Sequence, residues 1–277
     1  MDLITGMGMQ YYKFDVMTQA DGSITVPYLF TPLKNAAIAA KVKLIPDLTP
    51  TTLDFSATEA KSYAAGKLLG ANFAQKYGPY FTFYILGNEM DNRVILPGKT
   101  GNKVTDYDPA RFKIVAAYLK GMDEGVKSTD PVCRTMIDAS WLHYGFLQML
   151  QDYGVNFDIV AYHWYSEMEG AAANAPYNIP DITVKLASLF TKPIWFTEVN
   201  KRYNTTLTYE YDQDMFFKKF LVKCRNNPRV HALIVYELFD EPQKISNLLE
   251  ANYGIIKWTA PYLSWKYKEA ANNFLIN

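Results

Sequence analysis

Short apolar runs alternate along this chain with longer segments in which apolar residues recur every three or four positions. That alternation is the pattern of βαβ units feeding a parallel sheet. It predicts strands over Gln10–Val16, Val42–Leu48, Phe81–Gly87, Arg134–Ala139, Phe157–Trp164, Pro193–Val199 and Ala232–Phe239. Helices are predicted over Leu29–Ala40, Ala57–Tyr77, Pro109–Val126, Tyr144–Tyr153, Ile182–Phe190, Tyr209–Asn226 and Tyr262–Leu275, with a polar turn at Ala20–Ser23. Two long loops stand out, Asn88–Tyr107, rich in Gly, Asn, Asp and Lys, and the Ala-rich Ser166–Pro180. Loops of such length in a compact domain tend to be functional.

The predicted strands number seven, and Leu3–Met9 reads as the tail of a helix running into a strand. A barrel needs closure, because an open parallel edge leaves backbone groups unpaired. The fold class expected is therefore α/β, a (β/α)8 TIM barrel that lacks its first strand in this chain; the alternative is an open or unusually closed barrel. One catalytic domain over residues 1–277, truncated at its N-terminus, follows as the expected organisation.

In such barrels the chemistry sits at the C-terminal strand ends. There the sequence places Asn88-Glu89, Trp141 and His143, His163-Trp164-Tyr165, Thr197-Glu198 and Tyr236-Glu237. A carboxylate closing an apolar strand is costly to desolvate unless partnered. One such Glu is ordinarily a solvated strand end; two in one fold suit glycosidic cleavage, which needs a proton donor and a second carboxylate across the anomeric carbon. Carboxyl groups about 5–5.5 Å apart retain configuration. His163 and Tyr165 share strand parity and so face the same side.

The runs Tyr84–Glu89, Phe157–Tyr165 and Pro193–Glu198, with Tyr236–Pro242 and Glu250–Gly254, resemble glycoside hydrolase clan A, in the neighbourhood of families 39, 5 and 53. The two Glu stand 109 positions apart, and the resemblance extends from about Gly6 to the C-terminus. It implies a retaining β-glycosidase, with Glu89 as general acid/base, Glu198 as nucleophile and Asn88 on the sugar 2-hydroxyl. It further implies that His163 and Tyr165 contact the sugar and the nucleophile, the Tyr hydroxyl holding Glu198 oriented and ionised. Trp141, His143 and Trp164 are candidate stacking platforms or subsite walls, with core packing as the competing reading. Tyr236 and Glu237 stand where many clan members carry a Trp platform, so they join the substrate-binding set, Glu237 as a hydroxyl ligand or a partner for a cation. Where clan members often carry an Arg, this chain has Lys13, which is no equivalent fork donor. Asp15 and Asp47 are either sugar ligands or solvated strand ends.

Composition narrows the partners. With 28 basic and 28 acidic residues the net charge is +0, and no basic block suggests nucleic acid or an anionic membrane surface. A neutral carbohydrate, a plant or microbial polysaccharide or oligosaccharide, is the partner expected. The 3 His show no zinc-like cluster, so neither metal nor cofactor is expected. Cys133 and Cys224 are expected as free buried thiols, with a disulfide between them as the alternative. The resemblance implies a secreted or periplasmic protein; the chain carries no signal-peptide pattern, which leaves the cytoplasm open. A catalytically inactive carbohydrate-binding barrel is the competing function.

Overall fold

The computed structural model describes residues 1–19, 23–26, 30–51, 53–244 and 246–275. The expected turn residues Ala20, Asp21 and Gly22 and the expected helix start Leu29 lie outside them. The strands are β1 (Tyr11–Thr18), β2 (Ile24–Thr25), β3 (Lys43–Pro50), β4 (Phe83–Leu86), β5 (Arg134–Ile137), β6 (Ile159–Tyr165), β7 (Ile194–Asn200), β8 (Val230–Val235), β9 (Ile256–Ala260) and β10 (Ser264–Tyr267). The chain divides into two compact units, one of Tyr11–Tyr162 and one of Met1–Gln10 with His163–Asn277.

In the Tyr11–Tyr162 unit, β1, β3, β4, β5 and β6 pair in parallel in that order, and β2 adds antiparallel to β1. All four residues of β4 are buried, as are seven of seven in β6, which is what strands covered on both faces require. The crossover helices begin where the sequence supplies caps. Thr58 accepts from the Lys61 N–H ahead of the helix Glu59–Tyr77, and Asp108, followed by Pro109, accepts from the Ala110 and Arg111 N–H groups ahead of Pro109–Thr129. These two helices approach closely because glycines face each other. A Cβ on Gly66 would lie 2.0 Å from the Tyr118 carbonyl oxygen, and one on Gly121 2.0 Å from that of Tyr63.

The unit containing the C-terminus pairs β7 with β8 in parallel. Three expectations are corrected here. The Ser166–Pro180 loop opens with a helix, Ser166–Ala173, for which Glu, Met and Ala are good formers. Strand β8 ends at Val235, short of the expected Phe239, because residues beyond it pair with another segment. Ile255 N–H donates to the Glu237 carbonyl, Ile256 N–H to Leu238 and Asp240 N–H to Ile256. The expected closing helix Tyr262–Leu275 is instead the second half of an antiparallel hairpin, β9–β10, followed by a 3-10 turn over Glu269–Asn273. Trp265, Lys266 and Tyr267 alternate with period two, which favours a strand. The hairpin is anchored by Lys268, only 3% exposed, whose ammonium lies 2.7 Å from Asp240 and donates to the Asn252 carbonyl.

Cys133 and Cys224 are free and buried, and burial pushes each thiol up to about 12. Among the described residues, no helix is long and apolar enough to cross a membrane.

The glycine contact gives a stability test. Gly66→Ala or Gly121→Ala forces the two helices apart and is expected to cost about 1–3 kcal/mol, the usual range for overpacking. Gly170 is the control, because it lies inside a helix and a Cβ there would meet nothing within 4 Å. Gly170→Ala should leave the melting temperature unchanged or raised, through better helix propensity. Equal effects of all three substitutions in thermal unfolding would contradict the close-packing account.

Candidate functional site

In the Tyr11–Tyr162 unit the chain leaves β4 through Gly87, at φ 78°, and Glu89, at φ 45° and ψ 48°. The left-handed region costs a non-glycine residue roughly 1–2 kcal/mol, so something must hold Glu89 there. Its N–H donates to Oδ1 of Asp138 at 2.7 Å, and Asp138 is wholly buried one residue past β5. The Glu89 carboxylate accepts from the Asn92 amide at 2.8 Å. Asn88 and Glu89 are both half-buried.

Past β5, Trp141 is also left-handed, at φ 52°, and half-buried. Its carbonyl accepts from the Tyr162 hydroxyl at 2.6 Å. The preceding Ser140 N–H donates to Oδ2 of Asp91, and the same oxygen lies 2.5 Å from His143 Nδ1. Asp91 is 0% and His143 6% exposed, which makes this a buried pair and gives His143 a holding role in place of a stacking one. Lys13 forms an ion pair with the buried Asp47 at 3.1 Å, so Asp47 has a charge partner close by, whereas Asp15 is exposed.

In the unit containing the C-terminus, Glu198 sits on β7, 8% exposed. Oε2 accepts from the Tyr165 hydroxyl at 2.8 Å and lies 3.4 Å from His163 Nδ1. The shared parity of His163 and Tyr165 thus brings both to one carboxylate. Burial, then the negative Glu198, pushes the Tyr165 hydroxyl far above its ordinary range, so it stays a donor. Tyr165 packs against Tyr253 and Tyr236, with centroids 5.6 and 6.4 Å away. Trp164, on the opposite parity, is wholly buried and its indole N–H donates to Glu169 at 2.6 Å. It is a core residue there, a correction to its candidacy as a subsite wall. Trp195 is likewise buried, and Trp258 stacks on Phe239 at 4.7 Å.

The segment after β8 is tied to the end of β7. The Asn200 amide donates to the carbonyls of Tyr236 and Tyr253, and its own oxygen accepts from Gln213 at 2.9 Å. The Tyr236–Glu237 peptide is cis. The Tyr236 hydroxyl donates to Glu250 at 3.0 Å. Glu237 is half-buried beside Glu241, and Lys244 bonds Glu241 and lies 3.7 Å from Glu250. Burial, reinforced by Glu241 and opposed by Lys244, pushes the Glu237 carboxyl up to about 8.

Asp138 and Asp91 are not among the residues that the sequence singles out. A signal exists for Asp138, since it closes an apolar strand as Glu89 and Glu198 do; Asp91, inside a polar loop, gives none.

Residues 110–257 match the model of a family described as glycosyl hydrolase catalytic core. Among solved structures, the chain is similar to a family 1 β-glucosidase from Thermotoga maritima. The TM-score is 0.66 at 10% identity, covering 100% of this chain and 86% of that one. It is also similar to a GH53 catalytic domain from Ignisphaera aggregans, at TM-score 0.60 and 13% identity, covering 84% of this chain and 75% of that one. A third is the virulence factor SghA from Agrobacterium tumefaciens, at TM-score 0.67 and 13% identity, with coverages of 99% and 83%. No curated protein matches the sequence. At these identities the likeness speaks for the fold, a (β/α)8-type barrel. The described residues hold seven strands in parallel ladders, one fewer than a complete barrel has.

Glu237 sets a pH dependence. Its carboxyl titrates near 8 when folded against an ordinary 4.5, so the folded state binds the proton more tightly. The resulting stability is fully present below about pH 4.5 and is lost as pH rises toward 8. Glu237→Gln should flatten the decline in unfolding free energy between pH 5 and 8, measured by denaturant titration; an unchanged slope would contradict the burial of this carboxyl.

Proposed function

The chain belongs to the glycosyl hydrolase catalytic-core family, and from that premise we propose that it hydrolyses β-glycosidic bonds with retention, using Glu198 as nucleophile and Glu89 as general acid/base. The single catalytic domain of this reading spans residues 1–277, and its substrate is a neutral polysaccharide or oligosaccharide of plant or microbial origin. β-Glucosidases among the structural relatives support the β-linked class.

The observation that carries the assignment is the Tyr165 hydroxyl donating to Glu198 at 2.8 Å, with His163 at 3.4 Å from the same oxygen. A donor aimed at one oxygen of a buried carboxylate favours its charged form and orients the other for attack. In the first step Glu89 gives its proton to the glycosidic oxygen as Glu198 bonds to the anomeric carbon and the leaving group departs. In the second, Glu89 takes a proton from water, the water oxygen bonds to the anomeric carbon, and the ester to Glu198 breaks. Asn88 binds the 2-hydroxyl. Trp141, Tyr236 and Glu237 contribute to sugar binding. No step calls on a metal or cofactor.

A 2-deoxy-2-fluoro glycoside with a good leaving group should inactivate the enzyme, and peptide mapping should find the label on Glu198. Label on any other residue would overturn the assignment. Glu198→Ala should abolish turnover of an aryl β-glycoside panel. Tyr165→Phe, which deletes only the donor, should lower kcat by roughly 100-fold, the lower end of the range for one lost preorganised donor. An unaltered kcat would remove Tyr165 from the mechanism. Binding of oligosaccharide by wild type without turnover of any glycoside would contradict the catalytic reading.

A further inference from the structure

Two left-handed residues, Glu89 and Trp141, stand at the ends of adjacent strands, and two buried carboxylates cross between the segments that carry them. Asp138, next to the end of β5, accepts the N–H of Glu89 at 2.7 Å. Asp91, two positions past Glu89, accepts the N–H of Ser140, which precedes Trp141, and lies 2.5 Å from His143 Nδ1. Each segment thus donates a backbone N–H to an aspartate of the other. Both aspartates are 0% exposed and His143 is 6% exposed, so the clamp is formed away from bulk water. Charge-assisted bonds of this kind are the stronger and more directional class.

We infer that Asp138, with the Asp91–His143 pair as its counterpart, forms a positioning clamp that fixes the backbone of Glu89 and thereby aims its carboxyl at the leaving-group oxygen. The inference rests on the reading of Glu89 as the acid/base. A general acid must lie within hydrogen-bond reach of the oxygen it protonates, and a displacement of about 1 Å is enough to lose much of that catalysis. Removing Asp138 frees the Glu89 N–H from the conformation that the bond enforces. Removing His143 leaves Asp91 without the nitrogen 2.5 Å from its oxygen and loosens the same turn from the other side.

The decisive readout is the ratio of kcat/KM for two substrates of one sugar. One is a dinitrophenyl glycoside, whose leaving group departs without protonation; the other is a methyl or unsubstituted phenyl glycoside, which needs the acid. The ratio is independent of how much of a preparation is folded, so a destabilised variant remains informative. Glu89→Ala should depress the acid-requiring substrate selectively, by roughly 100-fold or more relative to the activated one. Asp138→Ala should show the same selectivity at roughly 10-fold or more, and His143→Gln a smaller selective loss. Asp138→Asn, which keeps an acceptor oxygen in place, should recover most of the ratio. A selective loss in Glu89→Ala with a flat ratio in Asp138→Ala and His143→Gln overturns the clamp and leaves the acid/base assignment standing. A flat ratio in Glu89→Ala overturns the assignment, and the clamp with it.

Discussion

A carboxylate at the end of an apolar strand loses its water when the strand is buried, and that loss must be met by donors, by a cation or by retention of a proton. This chain answers the constraint in a different way at each buried or half-buried carboxyl. Glu198 receives a tyrosine hydroxyl, Asp138 a backbone N–H, Asp91 a backbone N–H and an imidazole, and Asp47 an ammonium. Glu237, desolvated by burial and crowded by Glu241, has its carboxyl pushed up to about 8 and so retains its proton. On the proposed reading, the way each carboxyl is met matches its role. A charged form held by a rigid donor suits a nucleophile, a half-buried carboxyl on a clamped backbone suits an acid/base, and carboxylates buried against N–H groups hold loops.

The scaffold serves this by being stiff where the strand ends are carried. Helices Glu59–Tyr77 and Pro109–Thr129 meet through glycines too close for a methyl group, which brings their backbones into contact behind the strands of that unit. In the other unit Gln213, Asn200 and the carbonyls of Tyr236 and Tyr253 form one buried network. The residue that binds Glu198 packs against both of those tyrosines. Loss of Asn200 would therefore be felt at Glu198 through Tyr165.

Much of this is legible in the sequence. Apolar runs such as Phe157–Trp164 and Pro193–Val199 locate strands because a strand buried on both faces reads as a near-continuous hydrophobic run, in which the few polar positions stand out. Parity alone brings His163 and Tyr165 to the same side, whereas Trp164, a candidate subsite wall in the sequence, is buried in the core. What periodicity does not carry is pairing between distant segments. Residues 237–240 look like a continuation of β8 but bond to residues 253–256, and the C-terminal hairpin depends on Lys268 finding Asp240. The left-handed turns at Glu89 and Trp141 are equally invisible, since neither residue type advertises that conformation; Glu89 is held by Asp138, and Trp141 follows Ser140, whose N–H donates to Asp91, each aspartate far away in sequence.

Proton NMR of the first sugar released from a β-glycoside, recorded before the anomers equilibrate, tests the central claim most directly. Double displacement through Glu198 predicts that the β-anomer appears first and mutarotates to the α-anomer. Release of the α-anomer first would mean a single displacement by water, and Glu198 would then not be the nucleophile.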